Sequence, residues 1–284
     1  MKPSLAVVAL LTLGAAAAAS PGVRHNARRS HVSRRPSSQS QRPSPELEER
    51  VAHEVAAARR VLDTMNAATL LANRYVVEAM YYHDGLLAAF PVDSSTADPD
   101  RRIVGQICRA IGPAQRAMFV WLLHAVWAGS DPPGPNVEFL PLMNSRIAAG
   151  RRTHQDAIDL FAPEGSPVYT VSRGVVILAE AGWSSDDVFS TGSRKGGNSV
   201  IVFGPDHDRF YRYCHLSAVS VSPGDLVAAG EVIGRVGHSG LNASRWGHGR
   251  HLHFEINEYA DAHVHVVGQR RLRSILLALH PPAQ

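Results

Sequence analysis

Around Pro132-Pro133-Gly134-Pro135 the apolar pattern of this 284-residue chain changes period. Upstream, apolar side chains return every three or four positions, the spacing of one helix face. Leu47, Val51, Val55, Ala58, Val61, Leu62 and Met65 set that face. Leu70, Leu71, Val77 and Tyr81 continue it, with no proline before Pro91. Ser44 is a candidate N-cap, and Pro45 suits the first helical turn. After a break over Pro91–Pro99, Asp100–Ala128 reads as a second helical stretch, divided at Gly112-Pro113. Residues 46–129 are thus expected to form a helical module of two or three helices. Packing accounts for its aromatics, and it carries no motif. A cap over a second domain and a partner-binding arm are both open.

From Val137 the runs shorten. Pro167–Val171, Gly174–Ala179, Ser199–Phe203 and Phe210–Leu216 read as strands, separated by clusters of Gly, Pro, Asn and Asp. Gly224–Gly234 reads as turn, strand, turn, strand, and its glycines suit positive φ. His251–Ile256 is a last strong strand. No long helix separates these runs, which favours antiparallel over parallel pairing. The class is therefore α+β, a helical N-terminal module followed by a mostly antiparallel sheet over 137–265, with 266–284 as a C-terminal tail.

The first residues speak to compartment. Lys2, the apolar run Leu5–Leu13 and Ala17-Ala18-Ala19 fit a secretory leader over 1–19, cleaved after Ala19. That run is short for a bilayer span of ~20 residues, so no transmembrane segment is expected in the mature chain. Residues 20–44 hold six arginines and no acid, among Ser, Pro and Gln. Such a linker cannot bury enough apolar surface to order itself. It is either a bare solvated spacer or a contact to an anionic wall or membrane surface. Lys+Arg 29 against Asp+Glu 25 leaves only +4, which gives no argument for nucleic acid. Two cysteines, Cys108 and Cys214, form no disulfide framework and no C-x-x-C metal site.

Histidine is the residue that stands out. There are fifteen, ten of them from His154 onward. On a strand, residues i and i+2 share a face, so His251 and His253 project side by side while Leu252 and Phe254 face the other way. By the same rule Tyr213 shares a face with His215, and Cys214 points away from both. Alone, His-x-His is more often a surface pair than a site. Here it has company: Thr153-His154-Gln155-Asp156-Ala-Ile-Asp159 ahead of Pro163-Glu-Gly-Ser-Pro, then Tyr213-Cys-His215-Leu-Ser, then the Gly224–Gly234 unit.

In that order these pieces resemble the lysostaphin-type (LytM-like) zinc endopeptidases over residues 137–260. The resemblance implies a compact antiparallel β-sheet peptidase domain cutting peptide bonds in the stems or cross-bridges of peptidoglycan. It implies Asp159 and His253 as zinc ligands, and His215 and His251 as the catalytic histidines. One motif departs from the family. Its first histidine stands four positions before the aspartate, and here that position is Gln155, with His154 one further back. An offset of five puts His154 on the wrong strand face unless a bulge restores it. His154 through a bulge, Gln155 as a poor amide ligand, and Asp156 are the three options, with His154 favoured.

If the site is intact, His154, Asp159 and His253 hold Zn²⁺ with one position open. One of His215 and His251 then handles the proton while the other faces the oxyanion. His238, His248 and Trp246 in the loop before the last strand are either groove-lining or merely solvated. The alternative is a degenerate, metal-free relative that binds the wall or activates another hydrolase. The irregular first motif is its argument.

Overall fold

The computed structural model describes residues 44–82, 98–131, 133–147, 156–187, 195–241, 243–245 and 247–282. The leader and nearly all of the basic linker lie outside these residues, as do His154, Gln155 and Trp246. Residues Arg42–Gln284 form one compact unit.

Helix α1, Pro45–Thr64, starts where Ser44 Oγ accepts the Leu47 N–H at 3.2 Å, with Pro45 in the first turn. α2 is Ala67–Leu71 and α3 is Arg74–Tyr81. α4 is Pro99–Cys108, and α5 is Pro113–Ala128, beginning at the expected Gly112-Pro113 break. The periodicity suggested fewer, longer helices. The difference lies in Asn66 and Asn73, whose side chains accept the N–H groups of Thr69 and Val76 and so start a new helix each. A short polar side chain competes with the helix for backbone donors, and a hydrophobic stripe can run across such a break unchanged.

Ten strands follow among the described residues: β1 Arg146–Ile147, β2 Ala157–Phe161, β3 Pro167–Tyr169, β4 Gly174–Glu180, β5 Asn198–Gly204, β6 Arg209–Val219, β7 Leu226–Val227, β8 Val232–Val236, β9 His251–Ala260 and β10 His263–Val266. The sheet runs β1-β2-β9-β6-β5-β4-β7, with β10 on β9 and β8 joining β6 to β3. Every ladder between these strands is antiparallel, as expected. Gly224 and Gly230 do sit at positive φ.

Alternation along the strands builds two cores. Ile158, Leu160, Val200, Val202, Tyr211, Tyr213, Leu252, Phe254 and Ile256 face one side. There they meet Leu272 and Leu276 of a last helix, α6, Gln269–Ala278. Ile177, Ile201, Phe203 and Phe210 face the other side, under α1–α5. Phe119 of α5 stacks on Phe210 at 6.5 Å between centroids, and Phe203 lies 5.1 Å from Phe210. The helices thus share a core with the sheet. Among the described residues, no helix is long and apolar enough to cross a membrane.

Candidate active site

The helix-facing side of the sheet does not stay apolar. On β2, β9 and β6, three neighbouring strands, it carries Asp159, His251, His253, Glu255 and Arg212. Asp159 pairs in register with His253, and Phe161 with His251. Because directly opposed residues share a face, the registers alone bring carboxylate and imidazole together. Asp159 Oδ1 lies 2.9 Å from His253 Nδ1 and 3.8 Å from His251 Nε2.

His215 arrives by a different route. β6 pairs with β5 as Ser199↔Cys214 and Asn198↔Leu216, so His215 is the extra residue of a β-bulge. Its φ is +66°, a left-handed conformation unusual away from glycine. Strict alternation would send it to the far side with Tyr211 and Tyr213. The bulge turns it back, and its ring comes within 4.8 Å of the His251 ring and 5.6 Å of the His253 ring. Such bulges re-aim a side chain at the cost of local strain, of order 1–3 kcal/mol.

The bulge corrects two expectations. Tyr213 does not share the face of His215; it is fully buried in the opposite core, its hydroxyl accepting the Val171 N–H at 2.8 Å. Cys214 does not point away from the site, since it is in register with His253. Its thiol is buried, and burial pushes it up to about 12, which removes it as a nucleophile. Among the described residues, neither cysteine forms a disulfide.

Two glycines let the support behind His215 close. Gly197 and Gly240 both have positive φ, and a Cβ on Gly197 would lie 2.3 Å from the Ser239 carbonyl carbon. This contact places Ser239 O 2.7 Å from His215 Nδ1. His251 Nδ1 likewise lies 3.0 Å from Gly249 O. A carbonyl can only accept, so in both rings Nδ1 carries the hydrogen and Nε2 keeps its lone pair. Burial first, then the neighbouring His253 and His251, lowers His215 to about 3. Burial also lowers His251. Both are neutral at pH 7.

His253 is held differently. Its Nε2 lies 2.9 Å from Glu255 Oε1, so a carboxylate stands at each ring nitrogen. Burial opposes its charge, but those two hydrogen bonds outweigh it and raise the imidazole to about 9. Burial likewise opposes ionisation of Glu255, and His253, Arg212 and Tyr81 together bring it down to about 2. Tyr81, at the end of α3, donates its hydroxyl to Glu255 Oε2 at 2.6 Å. Glu255 and Tyr81 were not singled out from the sequence. The i, i+2 rule that linked His251 and His253 reaches Glu255 as well. Nothing in the sequence pointed to Tyr81.

Asp159 and His253 suit zinc in chemistry and nearly in spacing. Two ligands ~2.0–2.2 Å from one tetrahedral ion stand slightly farther apart than 2.9 Å. Among the described residues, no cluster of three or more His, Cys, Asp or Glu is arranged to hold a metal. The chain bends at Asp156, one residue before β2. His238 and His248 are exposed, and His238 lies 3.4 Å from Glu164 on the loop after β2.

The model of peptidase family M23 matches residues 153–265. Over 107 residues the chain is 33% identical to lysostaphin of Staphylococcus staphylolyticus, covering 37% of this chain and 19% of that protein. These matches support a lysostaphin-type domain of peptidase family M23 over residues 153–265. It is also 33% identical over 100 residues to the peptidoglycan DD-endopeptidase ShyA of Vibrio cholerae, covering 34% of this chain and 19% of that one. The chain thus spans about a fifth of the length of these curated relatives. Among solved structures, lysostaphin from Staphylococcus simulans is similar at 27% identity and a TM-score of 0.35, over 47% of this chain and 52% of that one. The α+β class, helices followed by a mostly antiparallel sheet, is the one read from the sequence.

Proposed function

We propose that the M23 domain is a zinc endopeptidase that hydrolyses peptide bonds in peptidoglycan, with Asp159, His253 and His154 as ligands. The supporting observation is the meeting of Asp159, His215, His251 and His253 on one sheet face, from three strands. A zinc ion there supplies Lewis acidity to the scissile carbonyl and acidifies the attacking water. Neutral His215 and His251 present their Nε2 lone pairs on the same side. His251 is the better proton acceptor, because Asp159 lies 3.8 Å from its Nε2 and stabilises the cation. From there the proton passes to the leaving amine. His215, locked by Ser239, stands beside it and completes the polar wall facing the reacting carbonyl. The relatives include a peptidoglycan endopeptidase, which supports that substrate class. A wall substrate requires a location outside the cytoplasmic membrane, where a leader over 1–19 directs a chain.

The test is zinc content of the purified full chain, together with release of fragments from purified peptidoglycan. One zinc per chain and cleavage abolished by a chelator are expected. Activity without bound metal would overturn the reading. A metal-free wall-binding role is the second reading, favoured by the two carboxylates that already satisfy His253. It predicts no zinc uptake and retained sedimentation with cell walls.

A further inference from the structure

The M23 match begins at residue 153, yet the chain of hydrogen bonds behind His253 ends on α3. Glu255 divides its two oxygens. Oε1 stands 2.9 Å from His253 Nε2, and Oε2 accepts the Tyr81 hydroxyl at 2.6 Å. A carboxylate can only accept, so His253 donates to Glu255 from Nε2 and to Asp159 from Nδ1, 2.9 Å away, and a bound metal would take the place of the Nδ1 proton while Glu255 keeps the Nε2 proton. Tyr81 is itself fixed: it is fully buried, its carbonyl accepts from Asn257 Nδ2 at 3.3 Å, and the Arg212 guanidinium lies 5.4 Å from its ring centroid. Arg212 also donates to the Tyr82 hydroxyl at 2.9 Å. Asn257, Glu255 and His253 follow one another at intervals of two on β9, so a single strand face links α3 to the site.

We propose that Tyr81 and Glu255 are positioning residues for the metal ligand His253. Glu255 fixes the tautomer that offers Nδ1 to the metal, and Tyr81 fixes Glu255. The helical region is then a working part of the metal centre and not only a cover. Groups behind a metal-ligating histidine typically alter metal affinity 10–100-fold when removed. This inference rests on the zinc reading above, and it makes a finer claim than that reading.

The experiment measures zinc affinity of the full chain by chelator competition, with ¹⁵N-histidine NMR of the zinc-loaded protein. Glu255→Ala should weaken zinc about 10–100-fold, and Tyr81→Phe by up to about tenfold. Glu255→Gln, which keeps an oxygen for Nε2–H, should recover most of the loss. Tyr82→Phe removes the neighbouring phenol that accepts from Arg212. It should lower the melting temperature but leave zinc affinity within about twofold of wild type. The NMR spectrum should show His253 protonated at Nε2 in wild type and a mixed tautomer in Glu255→Ala. Wild-type affinity in Tyr81→Phe, or equal weakening in Tyr82→Phe, would overturn the inference while leaving the zinc reading intact. A wild-type chain that takes up no zinc would overturn both.

Discussion

One sheet face serves two purposes here, and its two ends treat buried polar groups differently. Under the helices, Arg74 bridges Asp100 at 2.8 Å and Glu180 at 3.2 Å, while Arg212 lies 3.9 Å from Glu78. These pairs are incomplete. Glu78 Oε1, Glu180 Oε2 and Arg212 Nε are buried with no hydrogen-bond partner among the described residues. At the candidate site, by contrast, each of the three imidazoles has at least one ring nitrogen held by an oxygen. A structural interface tolerates loose pairing because packing carries it. A site that has to present particular lone pairs does not tolerate it.

The sharpest way to break this contrast is at the ligand itself. His253→Ala should abolish zinc binding and cut peptidoglycan cleavage by about 1,000-fold or more. His251→Ala should keep the metal and lose comparable activity. Atomic absorption on both variants decides, and equal metal loss would show that the pair is assigned the wrong way round. The covered end should respond in stability instead. Phe203→Ala removes a fully buried ring from the helix–sheet core and should cost about 3–5 kcal/mol in urea unfolding. A loss under ~1 kcal/mol would mean that the helices do not share this core in solution.

Gly197 tests the border between the two behaviours. Alanine there forces a Cβ against the Ser239 backbone at positive φ, pushing away the carbonyl that holds His215. Stability should fall by ~1–3 kcal/mol, and turnover should fall further than that loss explains, by about 10–100-fold at temperatures where the variant is folded. Unchanged turnover would separate His215 from the reaction.

Much of this was legible before any coordinates. The change of period near Pro132 marks where helices give way to strands, and the i, i+2 rule puts His251 beside His253. The same rule failed one strand away. At His215 a single extra residue reverses the alternation, and no local sequence signal marks it, because the αL position holds histidine where glycine is the common choice. Helix breaks at Asn66 and Asn73 were hidden for a related reason: a cap is one polar atom, and the apolar stripe continues past it. Tyr81 was illegible in principle. Its partner Glu255 lies 174 residues away, and only the packing of α3 on the sheet brings them together.

The smallest effect concerns pH, and the covered carboxyls and His215 should respond with opposite sign. Burial, only partly offset by Arg74, raises Asp100 to about 6; burial and then the neighbouring Glu180 raise Glu78 to about 7, and burial raises Glu180. A carboxyl with a raised folded pKa binds its proton more tightly in the native state. Its contribution is full below the unfolded value of ~4 and is lost as pH rises through the folded value. His215, lowered to about 3, behaves the other way: its contribution is full above ~6.5 and is lost as pH falls toward 3. Glu78→Gln isolates the covered end, because a neutral amide imitates the protonated acid at every pH. Against wild type it should be nearly neutral at pH 4 and gain about 1–2 kcal/mol by pH 7.5 in urea titrations. If the variant instead loses ground as pH rises, Glu78 acts as the counter-ion of Arg212, and the covered end holds its charges as tightly as the site does.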